Sequence, residues 1–519
     1  MLMPKEKSQA ISLISPNHGG NYVQSTFNRE HLGLALLSAE LRQSGFDPQI
    51  IDSRAENQSP DEAAQTILES EPFLVGFSII AKHACEWVEE VAKRIKEEKP
   101  DVHTTVGNYF PTHQPQRALE IMPNIDSVVI REGDFTLPEL ALLNQLGRDW
   151  SSTDGIAYRT EGKAMVNPQR ALITDLDSLP FPEHYAHLLG INEFAIEGSR
   201  GCYCRCTFCS IPPFFDAKDR KMKWRPRSPE NILDEVQLTL TTHPNIRLFR
   251  FTDPDFVGAP KHADRLLNFA REIRRRKLDF QFIIATRTND IVGVPENIWR
   301  ELKESGLVEV YVGVETASPH IRKAMRKGTT LDQDKRALAL MYDLNIRVRY
   351  GFMMITPWTQ EEDIEHNARI LRGLGFPRLD KYFQEMFLVP RTDAVELVKE
   401  TTRIWWDYDG DGEYYSYELP HPINNLRKIA RRMDETSLSF LEQYQRIHDK
   451  LRTKIDAQNI QEKLADLALE IFLSVFEKAK QLKEDASEDE VNDCVTEIEQ
   501  SFQTTLDALE LECDQKYDN

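Results

Sequence analysis

The sequence has no apolar run approaching the roughly 18 residues needed to cross a bilayer. Its first twenty residues, MLMPKEKSQAISLISPNHGG, carry no small-residue cleavage pattern of the secretory kind. Together these absences lead us to expect a cytoplasmic protein with no membrane partner. Cationic excess is missing too: 64 Lys and Arg stand against 84 Asp and Glu, a net charge of −20. A field of that sign repels phosphate backbones, so nucleic acid is not expected as a partner. No solenoid-type repeat is present. Cysteine is scarce, with seven in 519 residues. Four of them fall together at Cys202, Cys204, Cys206 and Cys209, whereas Cys85, Cys494 and Cys513 are scattered. Such clustering in a reducing compartment indicates a metal more than a disulfide framework.

A chain of 519 residues that is 40% hydrophobic and 29% charged has material for about three domains. In residues 1–147, strand-like runs such as AISLIS, PQIID and FLVGFSI alternate with amphipathic helices such as HLGLALLSAELRQSG and ACEWVEEVAKRIKEE. Alternation of this kind predicts a doubly wound, Rossmann-like α/β domain, with ligands beyond the carboxyl ends of its strands. Residues 148–193 read as a linker, extended around DLDSLPFPEH. A second alternation over 194–398 offers about six βα units, enough for a partial (β/α)6 TIM barrel whose active site would lie just after each strand. Residues 399–519 turn helical and polar, and SEDE at 487–490 has the spacing of a capping box. The expected fold class is therefore α/β with an α-helical C-terminal domain.

The loop GSRGCYCRCTFCSIPPFF follows a strand and contains Cys202-x3-Cys206-x2-Cys209. Three thiolates on one short loop can bind three irons of a cubane and leave the fourth iron open. A structural zinc knuckle would instead need two separated pairs of ligands, and no second pair exists. Cys204 reads as a bystander, because side chains alternate sides along an extended loop. The spacing, with Phe208 just before the last cysteine, resembles the signature of the radical SAM superfamily. That resemblance implies a 4Fe-4S cluster on Cys202, Cys206 and Cys209, and reductive cleavage of S-adenosylmethionine to a 5'-deoxyadenosyl radical.

Later segments resemble the same superfamily in order. FTDPDF places Asp253 and Asp255 where the family holds the amino group of S-adenosylmethionine, and ATRTN places Arg287 where a cation could meet the methionine carboxylate. Glu315 in GVETAS resembles the position that reaches the ribose hydroxyls, and GFMMITPW, with Met354, resembles the adenine-binding strand. WRPRSPENI and MRKGTT extend the likeness over most of residues 170–395.

Residues 1–147 resemble the cobalamin-binding domain that precedes the barrel in one large radical SAM subclass, the class B methyltransferase-like proteins, through LVGFSI, HTTVGNYFPTHQPQRALE and IDSVVIREGD. The DxHxxG sequence that supplies a histidine to cobalt elsewhere is lacking, but members of the subclass commonly bind cobalamin without it. His18, Gly20, Gly107 and Asn108 on the ligand rim are the candidate cobalamin-binding residues. The structural alternative is a domain that kept the fold and lost the cofactor.

A second metal pattern stands at DYDGDGEYYSYE, where Asp407, Asp409, Asp411 and Glu418 fit the calcium-loop template with Gly412 at the turn. Pro420 argues against a helix leaving this loop. The alternatives are an acidic surface loop, or a substrate entrance lined by Trp405, Trp406, Tyr414, Tyr415 and Tyr417.

The resemblance implies an enzyme, a cobalamin-dependent methyltransferase acting on an unactivated carbon, with no catalytic residue of the protein itself assigned. It also implies a small-molecule or peptide substrate and a reductant such as flavodoxin or ferredoxin. A radical rearrangement, cyclisation or group transfer without methyl transfer remains open. So does a non-catalytic iron-sulfur sensor, although such carriers usually have four protein ligands.

Overall fold

The computed structural model describes residues 10–17, 29–215, 223–406, 415–452, 454 and 457–517. The first domain is built from β1 (Ala10–Ser15), α1 (Leu32–Gln43), β2 (Asp47–Asp52), α2 (Pro60–Glu69), β3 (Leu74–Ser78), α3 (Ala84–Glu98) and β4 (His103–Gly107). α4 (Tyr109–His113), α5 (Pro115–Ile121), β5 (Ser127–Val129) and α6 (Thr136–Gln145) complete the alternation. β1 and β3 are buried almost throughout, as strands covered on both faces are. The helices start where the sequence caps them: Ser59 and Glu62 form a capping box ahead of α2, with Pro60 in its first turn.

The strands assemble in the order β2-β1-β3-β4-β5 and all run parallel. Strand order reverses at the β1/β3 pair, so a crevice opens beyond Ser15 and Ser78. Two further strands, β6 (Ile156–Thr160) and β7 (Lys163–Val166), add antiparallel to the β5 edge. The stretch read as a linker over 148–193 is thus partly sheet. The tight turn between these strands places Glu161 and Gly162 at φ +48° and +75°, the pattern of a two-residue hairpin.

The second sheet is formed by β8 (Glu193–Ile196), β11 (Leu248–Phe251), β12 (Gln281–Arg287), β13 (Leu307–Glu315) and β14 (Arg347–Phe352), all parallel and adjacent in that order. A sixth position is occupied only by residues 384–386: Met354 N donates to Gln384 O at 2.9 Å, and Met386 N to Ile355 O at 2.8 Å. Between β8 and β11 lie the short antiparallel pair β9 (Ser199–Gly201) and β10 (Trp224–Pro226), with α7 (Ile211–Phe215) between them and α8 (Pro229–Thr242) after them. Around the sheet run α9 (Ala263–Arg276), α10 (Thr288–Gly293), α11 (Glu296–Glu304), α12 (Pro319–Ala324), α13 (Leu331–Asp343) and α14 (Glu361–Gly373). The core lies between sheet and helices, where Phe194, Phe249, Phe282 and Val312 are completely buried.

After α15 (Asp393–Lys399), the hairpin β15 (Ile404–Trp406) and β16 (Tyr415–Tyr417) leads into α16 (His421–Thr436), α17 (Leu438–Arg452), α18 (Gln458–Gln481) and α19 (Glu488–Tyr517). Ser487 and Glu490 make the expected capping box ahead of α19. Among the described residues no helix is long and apolar enough to cross a membrane.

Candidate functional site

The cysteine loop joins β9 to α7. Gly201 sits at φ +83°, and a Cβ there would overlap the Lys223 carbonyl, so only glycine lets the chain turn into Cys202. The loop is anchored on the barrel. Thr207 N donates to Met325 O at 2.9 Å, and Ala394 N to Thr207 O at 2.9 Å. All four thiols are free of disulfides. Cys206 and Cys209 line a cavity of about 190 Å³ together with Arg205 and Arg391. Among the described residues no three His, Cys, Asp or Glu side chains gather closely enough for a single metal ion. Cys202 is not among the residues that line the cavity; thiolate sulfur is the donor an iron-sulfur cluster takes.

Cys204 does not point away from the others, as an extended loop would require. Its thiol hydrogen-bonds that of Cys202; the bond and the Arg287 charge draw Cys204 down to about 6. The same bond, with burial, pushes Cys202 well up. The loop is a tight turn, in which residues two apart share a side. Burial likewise pushes Cys209 up to about 12.

The strand-end residues converge on this loop to different degrees. Arg287, at the end of β12, is buried; it donates to Cys206 Sγ at 3.4 Å and to the Lys327 carbonyl. Burial opposes its charge, but the neighbouring thiols more than offset that and hold it protonated. Asp255 is buried, accepts from Thr286 Oγ1 and Gly258 N, and keeps Oδ2 without a partner. Burial lifts it to about 6. A buried acceptor left open beside Cys202 suits a ligand ammonium.

Asp253 is fully engaged elsewhere. Its carboxylate accepts from Gly198 N at 2.9 Å and Ser199 Oγ at 2.5 Å, fixing the backbone ahead of the cysteines. Glu315 has φ +73°, an uncommon conformation for its type, and accepts from Lys327 Nζ at 3.0 Å. A Cβ on Gly313 would overlap its carboxylate. Met354 is buried, and its N–H is bound to Gln384, so that group is not free for an adenine.

On the first domain, His18 and Gly20 lie outside the described residues. Gly107 ends β4, and Asn108 follows at φ +85°, ψ −159°, a region essentially reserved for glycine. The strain is held by side-chain bonds: Asn108 Oδ1 accepts from Tyr109 N at 2.8 Å and Nδ2 donates to Ser78 Oγ at 2.9 Å. Ser78 Oγ in turn meets His31 Nε2 at 2.8 Å. Burial holds His31 down at about 4, so it is neutral. The Tyr109 ring packs on Phe214 of α7 at 4.8 Å, and its hydroxyl is pushed up by burial and by the nearby Cys209 and Glu197. The carboxyl edge of the first sheet therefore faces the cysteine loop. Ser78, Asn108 and Tyr109 thus stand at the strand ends where a doubly wound sheet takes its ligands.

Sequence reasoning missed what holds the two domains in this arrangement. Arg200, two residues before Cys202, donates twice to Asp134 at 2.9 Å and once to Glu132 at 3.1 Å; Arg225 also binds Glu132. All four side chains are buried. A second clamp places His184 between Glu30, at 2.7 Å, and Glu235, at 3.5 Å. The REGD run after β5 was the visible signal, since acidic residues buried beside a strand end need cationic partners.

The calcium template can be followed only at its flanks. Asp407, Asp409 and Asp411 lie outside the described residues, but strands bracket the loop instead of helices. Glu418 N pairs with Arg403 O at 3.0 Å. Pro420 ends as the N-cap of α16, so a helix does start there. Tyr417 is buried in the core, donating to Met386 O at 3.1 Å, and does not line an entrance.

Comparison with known proteins agrees with this geometry. Residues 196–371 match the radical SAM superfamily, and residues 24–141 match the B12 binding domain. An uncharacterized methyltransferase of Pyrococcus horikoshii is 29% identical over 353 residues, 66% of this chain and 73% of its own. An anaerobic magnesium-protoporphyrin IX monomethyl ester cyclase of Rubrivivax gelatinosus is 26% identical over 374 residues, 70% of this chain and 65% of its own. Among solved structures, the cobalamin-dependent S-adenosylmethionine radical enzyme OxsB, with aqua-cobalamin and S-adenosylmethionine bound, shares the fold. Its TM-score is 0.75 at 20% identity, covering 98% of this chain and 81% of that one.

Proposed function

This chain unites a B12-binding domain with a radical SAM domain, and on that premise we propose that it is a cobalamin-dependent methyltransferase acting on an unactivated carbon of a small molecule or peptide. One observation carries the reading: Tyr109, on the carboxyl edge of the B12-type sheet, lies beside Cys209 of the cluster loop. Groups bound at the two edges would thus face a common space.

When bound, the 4Fe-4S cluster supplies one-electron cleavage of S-adenosylmethionine and cobalamin supplies a methyl carrier; the chemistry is theirs, and the protein orients it. Cys202, Cys206 and Cys209 would hold the cluster. Asp255 would accept from the ammonium of S-adenosylmethionine, and Glu315 would meet its ribose. Arg287 steadies the cluster thiols, and Asp253 holds the loop backbone. Gly107 and Asn108, with the loop containing His18 and Gly20, would cradle the corrinoid. The electron would come from a carrier such as flavodoxin or ferredoxin, in a cytoplasmic setting that keeps the thiols reduced.

The test is corrinoid retention. Anaerobic protein supplied with hydroxocobalamin should keep about one equivalent after desalting, as a single crevice implies. Gly107→Trp should lower retention while leaving the cluster absorbance intact, because the cluster belongs to the other domain. If the wild type keeps no corrinoid yet makes 5'-deoxyadenosine, a rearrangement or cyclisation takes the place of methyl transfer.

A further inference from the structure

The concave face of the barrel sheet is unusually charged. Strand alternation assigns the faces: Phe194, Phe249, Ile284, Val310 and Val312 pack in the core against the helices, so their neighbours point into the lumen. Register then gives the lumen rows. Ala195, Arg250, Ile283, Glu309 and Arg347 form one row. Ala285, Tyr311 and Arg349 form the next, and Arg287, Gly313 and Gly351 the row above. Successive rows are about 7 Å apart.

Ion pairing in the lower rows does not balance. Arg250 grips Glu193 with two bonds of 2.6 and 2.7 Å and approaches Glu309 at 3.9 Å. Glu309, itself buried, also faces Arg349 at 2.6 Å, Arg347 at 3.3 Å and Arg452 at 3.9 Å. Four guanidiniums thus share two carboxylates. Arg29 brings a fifth, 3.9 Å from Glu193. The crowding shows in the titration: burial, Arg250 and Arg452 lower Arg349 against the pull of Glu309. A protein of net charge −20 that collects cations in one chamber has a use for them.

A second feature of the chamber is independent of charge. In the Arg287 row the room over Gly313 and Gly351 is taken by the Glu315–Lys327 ion pair, while below it Ala195 and Ala285 leave the lumen wall beside these arginines without bulk. Into that space projects Tyr311, 43% exposed, whose hydroxyl has no hydrogen-bond partner among the described residues. It stands near Gly351, where a Cβ would come within 2.8 Å of it.

We propose that the lumen is the substrate chamber and that Arg250, Arg349 and Tyr311 form a subsite for a phosphate monoester, so that the methyl acceptor is a phosphorylated small molecule. The inference rests on the functional reading above and adds the substrate class to it. A phosphate monoester carries about −1.5 to −2 charges at pH 7 and answers the surplus of three guanidiniums over the two carboxylates better than the single charge of a carboxylate. Guanidiniums bind phosphoryl oxygens in pairs, and the tyrosine hydroxyl adds a donor. Arg349 and Tyr311 lie one row and Arg250 two rows below Arg287, which leaves about 7 Å or more for the rest of the substrate to reach the cofactor level.

The experiment is calorimetric titration of the full-length protein with inorganic phosphate, and with acetate as the carboxylate control. Phosphate should bind at one site and acetate should not. Arg349→Gln should weaken phosphate about tenfold or more, the loss of a charged hydrogen-bond pair, and Arg349→Lys should restore part of it. Glu309 keeps three guanidiniums in that variant, so folding is retained. Tyr311→Phe, which removes one oxygen, should weaken phosphate several-fold and serves if Arg349→Gln is poorly folded. Equal binding of acetate and phosphate, or phosphate binding unchanged in the folded variants, overturns the proposal. Hydroxocobalamin retention on the same preparations keeps the two ideas apart. Corrinoid retained without phosphate binding removes the phosphate subsite alone, and phosphate bound without corrinoid removes the methyltransferase reading.

Discussion

Raising the pH from 6.5 to 9.5 should loosen the domain interface through one group, His184. Its imidazole is buried between Glu30, ahead of α1 in the first domain, and Glu235 on α8 in the second. Burial alone would lower its pKa, but the ion pair with Glu235 and the hydrogen bond and charge of Glu30 prevail and hold it at about 9. The folded value exceeds the unfolded 6.5, so the stabilisation is complete below pH 6.5 and is lost as pH rises through 9. The difference of about 2.5 units corresponds to roughly 2–3 kcal/mol once water penetration is allowed for. For a unit of 150–250 residues that is a midpoint shift of about 5–10 °C. The assay is the thermal midpoint of wild type and His184→Gln across this range. Because the cysteines titrate in the same window, the informative quantity is the difference between the two proteins. It should shrink steadily above pH 6.5 and level off beyond 9. A constant difference would refute a charged His184 between the two carboxylates.

Three further outcomes test the site. Alanine at Cys202, Cys206 or Cys209 should abolish the absorbance of the reconstituted cluster, whereas Cys204→Ala should leave iron content near wild type; equal loss in all four variants would overturn the ligand set. Asp134→Ala removes the bidentate partner of Arg200, which keeps Glu132 and Glu197, and should cost about 1.5–3 kcal/mol, the worth of a charged hydrogen bond. Hydrogen exchange across residues 199–209 should rise with it, and unchanged protection there would show that the clamp does not hold the cysteine loop. Gly313→Ala drives a Cβ into the Glu315 carboxylate and the Lys327 ammonium. Calorimetry should then show S-adenosylmethionine bound about tenfold more weakly at unchanged iron content, and undiminished affinity would remove Glu315 from the site.

Local patterns carried much of this molecule in the sequence. The cysteine spacing, the two βα alternations and the capping box at Ser487 are each written within a few residues. What escaped depended on partners far along the chain. Glu132 and Asp134 form a visible acidic run, but their partners Arg200 and Arg225 lie 66 to 93 residues away. Asp253 has the residue type of a ligand contact, yet its oxygens are taken up by Gly198 and Ser199. The template at Asp407 to Glu418 matched in spacing while its flanks paired as strands, which spacing does not report. The lumen arginines looked like ordinary charges on half-buried strands until register set them in facing rows. Asn108 shows the opposite case, where a residue picked out for its place on the rim also carries the backbone strain common at functional sites.

The central claim is that one chain couples cleavage of S-adenosylmethionine to methyl transfer through cobalamin. The direct measurement supplies the anaerobic, reconstituted protein with hydroxocobalamin, a low-potential reductant and S-adenosylmethionine labelled with deuterium in its methyl group, and analyses the products by mass spectrometry. The account predicts the labelled methyl group on the corrinoid and 5'-deoxyadenosine in the same reaction, with 5'-deoxyadenosine lost in Cys206→Ala. Formation of 5'-deoxyadenosine with no label on the corrinoid would contradict it.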